Sequence, residues 1–216
     1  MTAFQKIGGL AAWGQALCYI IGFTIFIFFL DFPSSDKPLE AINFLIDNKM
    51  LILSAMTIIY ILAALILLIL VLALHEKLKS DNPLLMQIST ATGLIWAGVV
   101  VASGMIFTVG AESVIKVYEY DPDRAATLWI AVGIIQNGLG GGTEFLGGVW
   151  ILLISWVAYK GDHLSKALNW LGFGIGIIGI ASVVPSLSFF VDIFGLSQII
   201  WFLWLGTVML FTAKTN

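Results

Sequence analysis

Residues 136–148 read QNGLGGGTEFLGG, and they lie inside an apolar run that extends from about Trp129 to Tyr159. An amide pair, Gln136 and Asn137, six glycines and one carboxylate, Glu144, interrupt residues otherwise suited to lipid. The run is 31 residues long. As one straight helix it would measure about 46 Å, against a bilayer core of about 30 Å. It must therefore tilt, bend or project. Glu144 falls at its centre, too far from either surface for its side chain to reach water. Asn137, Gly141, Glu144 and Gly148 recur at helical spacing and share one face, with Gln136 one position round. A polar, glycine-studded face belongs against other helices or a water-filled cavity. The GLGGG segment weakens a helix by up to about 1 kcal/mol per glycine, so a bend or loosened turn is expected there. Gln136, Asn137, Thr143 and Glu144 are the candidate intramembrane polar site.

The rest of the chain has the same character. Of 216 residues, 60% are hydrophobic and 11% charged, where a soluble domain carries about 25% charge. The net charge of −3 gives no case for nucleic acid. The single cysteine, Cys18, has no partner for an intramolecular disulfide. Six apolar runs read as transmembrane helices, at about 7–30, 50–74, 85–110, 125–159, 168–190 and 195–212. The expected fold is an all-α, six-span helix bundle forming one integral membrane domain over residues 1–216. The first run exceeds the apolar core of a signal peptide, and DFPSSD after it lacks a cleavage pattern, so it is expected to be retained.

Loop charges orient the bundle. With the N-terminus inside, Lys6, Lys77, Lys79, Lys160, Lys166 and Lys214 are inner, and Lys37, Lys49, Lys116 and Arg124 outer. This bias puts both termini on the cytoplasmic side of the membrane. In the first outer loop, Leu39, Ile42 and Ile46 mark a short interfacial helix. In the loop YEYDPDRAATLW, Pro122 forces a turn and Asp123 is placed to cap the fourth helix. Glu119, Asp121 and Asp123 lack the glycine and terminal glutamate of a calcium loop and read as a solvated turn.

Several motifs resolve into packing. Residues 174–179 spell GIGIIG, which matches a dinucleotide fingerprint but lies within an apolar span, with no strand to end in a phosphate-binding turn. Gly172, Gly176 and Gly179 share a helical face, where small residues admit a close neighbour. Gly141 and Gly148 are expected to do the same. His75 and His163 sit in short loops at span ends, not facing each other within helices as haem ligands would. Trp13, Trp129, Trp156 and Trp170 flank span ends as an aromatic belt. Ser103, Ser182, Ser186 and Ser188 have no histidine near them in sequence, and no hydrolase motif occurs. No cofactor or metal is expected.

Two long segments carry a resemblance. EFLGGVWILLISWVAYKGDHLSKALNWLGFGIGIIGIA resembles the end of a family of bacterial six-span membrane proteins catalogued as a domain of unknown function. EAINFLIDNKMLILSAMTIIYILAALILLILVLALHEKLKS resembles its first loop and second span. The arginine and proline usual in the family's fourth loop are replaced here by Asp162, His163 and Lys166. The resemblance implies topology and carries no activity.

Burial penalises a charged carboxylate, and no lysine or arginine lies within a span to neutralise Glu144. A protonated acid, a bound ion or a polar substrate remains. Three functions are open. The chain binds or moves a small solute, ion or lipid around Glu144, packs as an accessory or regulatory subunit against another membrane protein, or acts as an intramembrane enzyme. Beyond the lipid bilayer, its expected partner is a small solute or another membrane protein.

Overall fold

A computed structural model describes residues 3–30, 33, 37–80, 82–141 and 144–211. Thr143 of the candidate site and Lys214 of the inner set lie outside the described residues. The described chain is helical throughout, without strands. It comprises α1 (Ala3–Phe28), α2 (Pro38–Asp47), α3 (Lys49–Met56), a π turn at Thr57–Leu62, α4 (Ala63–Leu78) and α5 (Pro83–Tyr118). Then come α6 (Pro122–Gln136), a second π turn at Asn137–Gly141, α7 (Phe145–Lys160), α8 (Lys166–Ala181), a 3-10 turn at Pro185–Leu187 and α9 (Phe190–Phe211). Five helical segments are long and apolar enough to cross a membrane: Ala3–Phe28, Lys49–Leu78, Pro83–Tyr118, Pro122–Lys160 and Phe190–Phe211. Lys166–Ala181 is apolar but shorter; its 16 residues span about 24 Å.

The boundaries correct the sequence in three places. The fifth run ends as a helix at Ala181, not near residue 190, because Pro185 offers no N–H and its ring clashes with a continuing helix. The last helix starts at Phe190 instead of 195, which draws Asp192 into its first turn. α5 runs on to Tyr118, well past Gly110, carrying Glu112 to an ion pair with Lys49 at 2.8 Å.

Helix ends obey local chemistry. Asp121, not Asp123, caps α6: its side chain accepts from the Arg124 N–H at 3.0 Å, with Pro122 in the first turn, where a missing N–H costs nothing. Asn82 caps α5 and Ser165 caps α8 in the same way. In α2 the buried stripe is Ala41, Ile42 and Leu45, whereas Leu39 and Ile46 are exposed. Ile42 packs on Val114 and Ala125, so α2 seats against α5 and α6 and does not simply float in the interface.

Six rods close a ring. α1 packs on α4 and α9, α5 on α4 and α7, and α8 joins α7 to α9. α6 leaves the ring and packs on α5 and α2. Lipid offers no hydrophobic drive between such helices, so close packing holds them. Glycines supply it: a Cβ on Gly148 would lie 2.6 Å from the Ile180 nitrogen, and one on Gly176 would lie 2.9 Å from the Gly148 oxygen. The faces expected from Gly148, Gly172, Gly176 and Gly179 are thus consumed inside this chain, between α7 and α8, with Trp201 and Phe194 of α9 also against them. Trp156 and Trp170 are exposed near helix ends and Trp13 is exposed well inside α1, not at its end, while Trp96, Trp150 and Trp201 form the core, with ring centroids 5.7 and 6.0 Å apart.

The break in the fourth segment rests on Gly140, whose φ of 129° lies in a region L-residues avoid. Gly140→Ala should cost about 1–3 kcal/mol in backbone strain, a fall of about 3–10 °C in thermal midpoint. Gly138 has open space around its Cβ position, so Gly138→Ala is the control and should melt at or above the native temperature. Equal loss in both variants, read by light scattering in detergent, would refute the role of the kink.

Candidate intramembrane site

α7 begins and α8 ends at the same level. The Glu144 N–H donates to the Ser182 hydroxyl at 2.9 Å, and that hydroxyl donates to the Gly179 carbonyl at 2.7 Å. Ser182 therefore ties the start of one helix to the end of the other. Its proton is spent on the Gly179 carbonyl and it meets only the backbone of Glu144, so it is not arranged as a nucleophile beside a base. Above this level α6 has swung outward and α8 has stopped, and the ring is left open between α1, α3, the first π turn and α9.

A cavity of about 490 Å³ fills that opening. Tyr19, Phe23, Phe26 and Ile27 of α1 form one wall; Met56, Ile59 and Tyr60 form the second; Val191, Asp192, Gly195, Leu196 and Gln198 of α9 form the third. Glu144 lines it as the N-cap residue of α7, its side chain capping nothing. Glu144 is therefore inside the bundle, as its mid-span position requires. Among the described residues its carboxylate makes no hydrogen bond or ion pair, and it shares the cavity lining with Tyr19 and Tyr60.

The two phenols are held from behind. Tyr19 stacks between Phe23 and Phe202, at 6.5 and 6.4 Å, with the Gln198 side chain beside its hydroxyl. Gln198 is 1% exposed, and its Oε1 has no partner among the described residues. Tyr60 is placed by the first π turn, whose extra residue per turn rotates it toward the bundle. Gly104 admits this turn: a Cβ there would sit 2.5 Å from that of Tyr60. Tyr60 lies beside the Gln136 side chain, and the Gln136 carbonyl accepts from the buried Ser103 hydroxyl at 2.9 Å. Adjacent residues of α5, Ser103 and Gly104, thus hold both π turns. Gln15 of α1 donates to the Ala63 carbonyl just past the first of them.

The structure brings some of the expected residues together and separates others. Gln136 reaches the cavity's wall through Tyr60. Asn137 does not share a face with Glu144: the π turn and Gly140 break the register, and Asn137 lines a second cavity of about 360 Å³ with Gln136, Trp129 and Phe107. Gly141 belongs to the π turn itself. Four residues escaped the sequence analysis: Tyr19, Tyr60, Gln198 and Asp192. Asp192 falls between the expected runs 168–190 and 195–212, whereas the last helix starts at Phe190 and includes it. Gln198 carried a usable signal, an amide in an otherwise apolar span.

The histidines are apart from this site. His75 Nδ1 lies 2.7 Å from the Thr90 hydroxyl, which itself donates to the Met86 carbonyl. A hydroxyl has one proton to give, so Nδ1 is the protonated donor of the pair. His163 lies in the turn after α7, its N–H bonded to the Ala158 carbonyl.

No family model, no curated protein and no solved structure matches this chain.

Proposed function

We propose that this chain is a six-span inner-membrane protein, with both termini cytoplasmic, that binds or moves a small solute in the cavity around Glu144. One observation carries the reading: a carboxylate at mid-span faces a 490 Å³ cavity with no protein partner among the described residues. Structural glue would be paired, because an unpaired buried carboxylate is costly. The volume falls within the roughly 300–1,000 Å³ of small-molecule sites. The faces of Gly148, Gly172, Gly176 and Gly179 are filled by the chain's own helices, so they offer no surface of close approach to an accessory partner. With both termini inside, the start of α9 and the end of α1 lie at the outer surface, and the cavity opens there.

Single cysteines on a Cys18→Ala background test this. A membrane-impermeant thiol reagent added to intact cells should modify Met56→Cys and Asp123→Cys, and should reach Lys160→Cys only after the cells are opened. Labelling of position 160 from outside would invert the topology. Protection of position 56 under all conditions would remove the water-connected cavity.

A further inference from the structure

Resting on that cavity reading, we propose that the occupant is a small organic cation, an amine or quaternary ammonium, with its charge facing Glu144 and Asp192 and its apolar part against the lining rings. The lining contains two carboxylates and no lysine, arginine or histidine. Negative charge in a space walled by helices is focused, not screened, and draws cations inward. Four aromatic side chains, Tyr19, Phe23, Phe26 and Tyr60, contribute to the same wall, and aromatic faces attract ammonium groups within about 6 Å of the ring. Gln198 adds a neutral amide to the same wall.

The same features argue against a bare metal ion. Calcium takes 6–8 oxygens at about 2.3–2.6 Å. Here two carboxylates line a space of 490 Å³, and among the described residues no group of three or more acidic, histidine or cysteine side chains gathers. Most lining residues are apolar or aromatic, which suits a cation carrying carbon. A lipid tail or neutral solute would leave both carboxylates without a counter-charge.

Charge-selective labelling of Met56→Cys, on the Cys18→Ala background, tests the class. Two methanethiosulfonates of similar size are compared, one ending in trimethylammonium and one in sulfonate, each rate divided by its rate with free cysteine in water. The cationic reagent should be favoured at least tenfold. Millimolar benzyltrimethylammonium chloride should slow its reaction, and sodium chloride at the same concentration should not. Asp192→Asn should cut the preference at least threefold, and Glu144→Gln should abolish protection by benzyltrimethylammonium. Equal rates for both reagents, or equal protection by benzyl alcohol, would overturn the cationic class while leaving the cavity intact. A preference that survives both substitutions would overturn it as well. No reaction with either reagent would instead remove the cavity reading itself. Asp192 is exposed, so its variant keeps the test decisive if Glu144→Gln fails to fold.

Discussion

Gly148→Leu should lower the thermal midpoint in detergent by at least about 10 °C, or leave no folded protein. A Cβ at this position would lie 2.6 Å from the Ile180 nitrogen, 2.7 Å from the Gly176 oxygen and 2.8 Å from the Gly179 carbonyl carbon. All three are backbone atoms, so no side-chain rotation relieves the clash, and α7 and α8 must separate. Overpacking against movable side chains costs about 1–3 kcal/mol; against backbone the upper end is the starting point. For a chain of this size each 1 kcal/mol is worth about 2–4 °C. Separation would also pull the Glu144 N–H from the Ser182 hydroxyl and deform the cavity floor. Gly176→Leu should behave similarly, because Leu152 and the Gly148 carbonyl occupy its space. Gly174 lies two residues away in the same helix with nothing within 4 Å, so Gly174→Leu should melt within a few degrees of the native protein. If the variants at 148 and 174 melt alike, the α7–α8 seam is wrong.

The second large effect has the opposite sign. Glu144→Leu should abolish protection of the cavity by an organic cation while leaving the thermal midpoint unchanged or raised by about 2–4 °C. Before side-chain contacts are considered, the reverse is expected, since removing a buried acid strands its hydrogen-bond partners. Here the carboxylate has no such partner among the described residues, and Ser182 bonds only the residue's backbone, which leucine retains. Leucine then removes a desolvated, unpartnered carboxyl group, and about 1 kcal/mol of gain is a modest expectation. Sites that bind commonly hold groups that the fold alone would not select. A fall of 5 °C or more in Glu144→Leu, measured with that of Glu144→Gln, would instead assign the carboxylate to structure.

Tertiary placement also explains the two π turns. Each interrupts an apolar helix where one residue must be turned inward: Tyr60 in the first, Gln136 at the edge of the second. The two side chains are neighbours, and Ser103 and Gly104 of α5 receive the two turns side by side. Pattern alone shows the second interruption, because glycine and amides announce it. TIIYIL in the first offers no breaker, and only packing against Gly104 and Gln136 selects the wider turn there.

Composition and run length alone determined that this chain is helical, membrane-embedded and organised around a polar interruption at 136–148, because lipid demands internally satisfied backbone over about 20 residues. Glu144's inward direction was equally legible, since an acid at that depth has nowhere else to go. The glycine spacing marked faces of close approach but not their partners; that α7 meets α8 follows from surfaces far apart in sequence. Only the tertiary structure decided what surrounds Glu144. Asn137 is carried away by one glycine's positive φ, a conformation that spacing rules cannot anticipate. Tyr19, Tyr60, Asp192 and Gln198 come from three separate segments; the amide and the acid stand out in an apolar span, but nothing in the local sequence shows that they meet the two tyrosines. Their convergence depends on where α6 leaves the ring and α8 stops, which is a property of packed helices and not of any one of them.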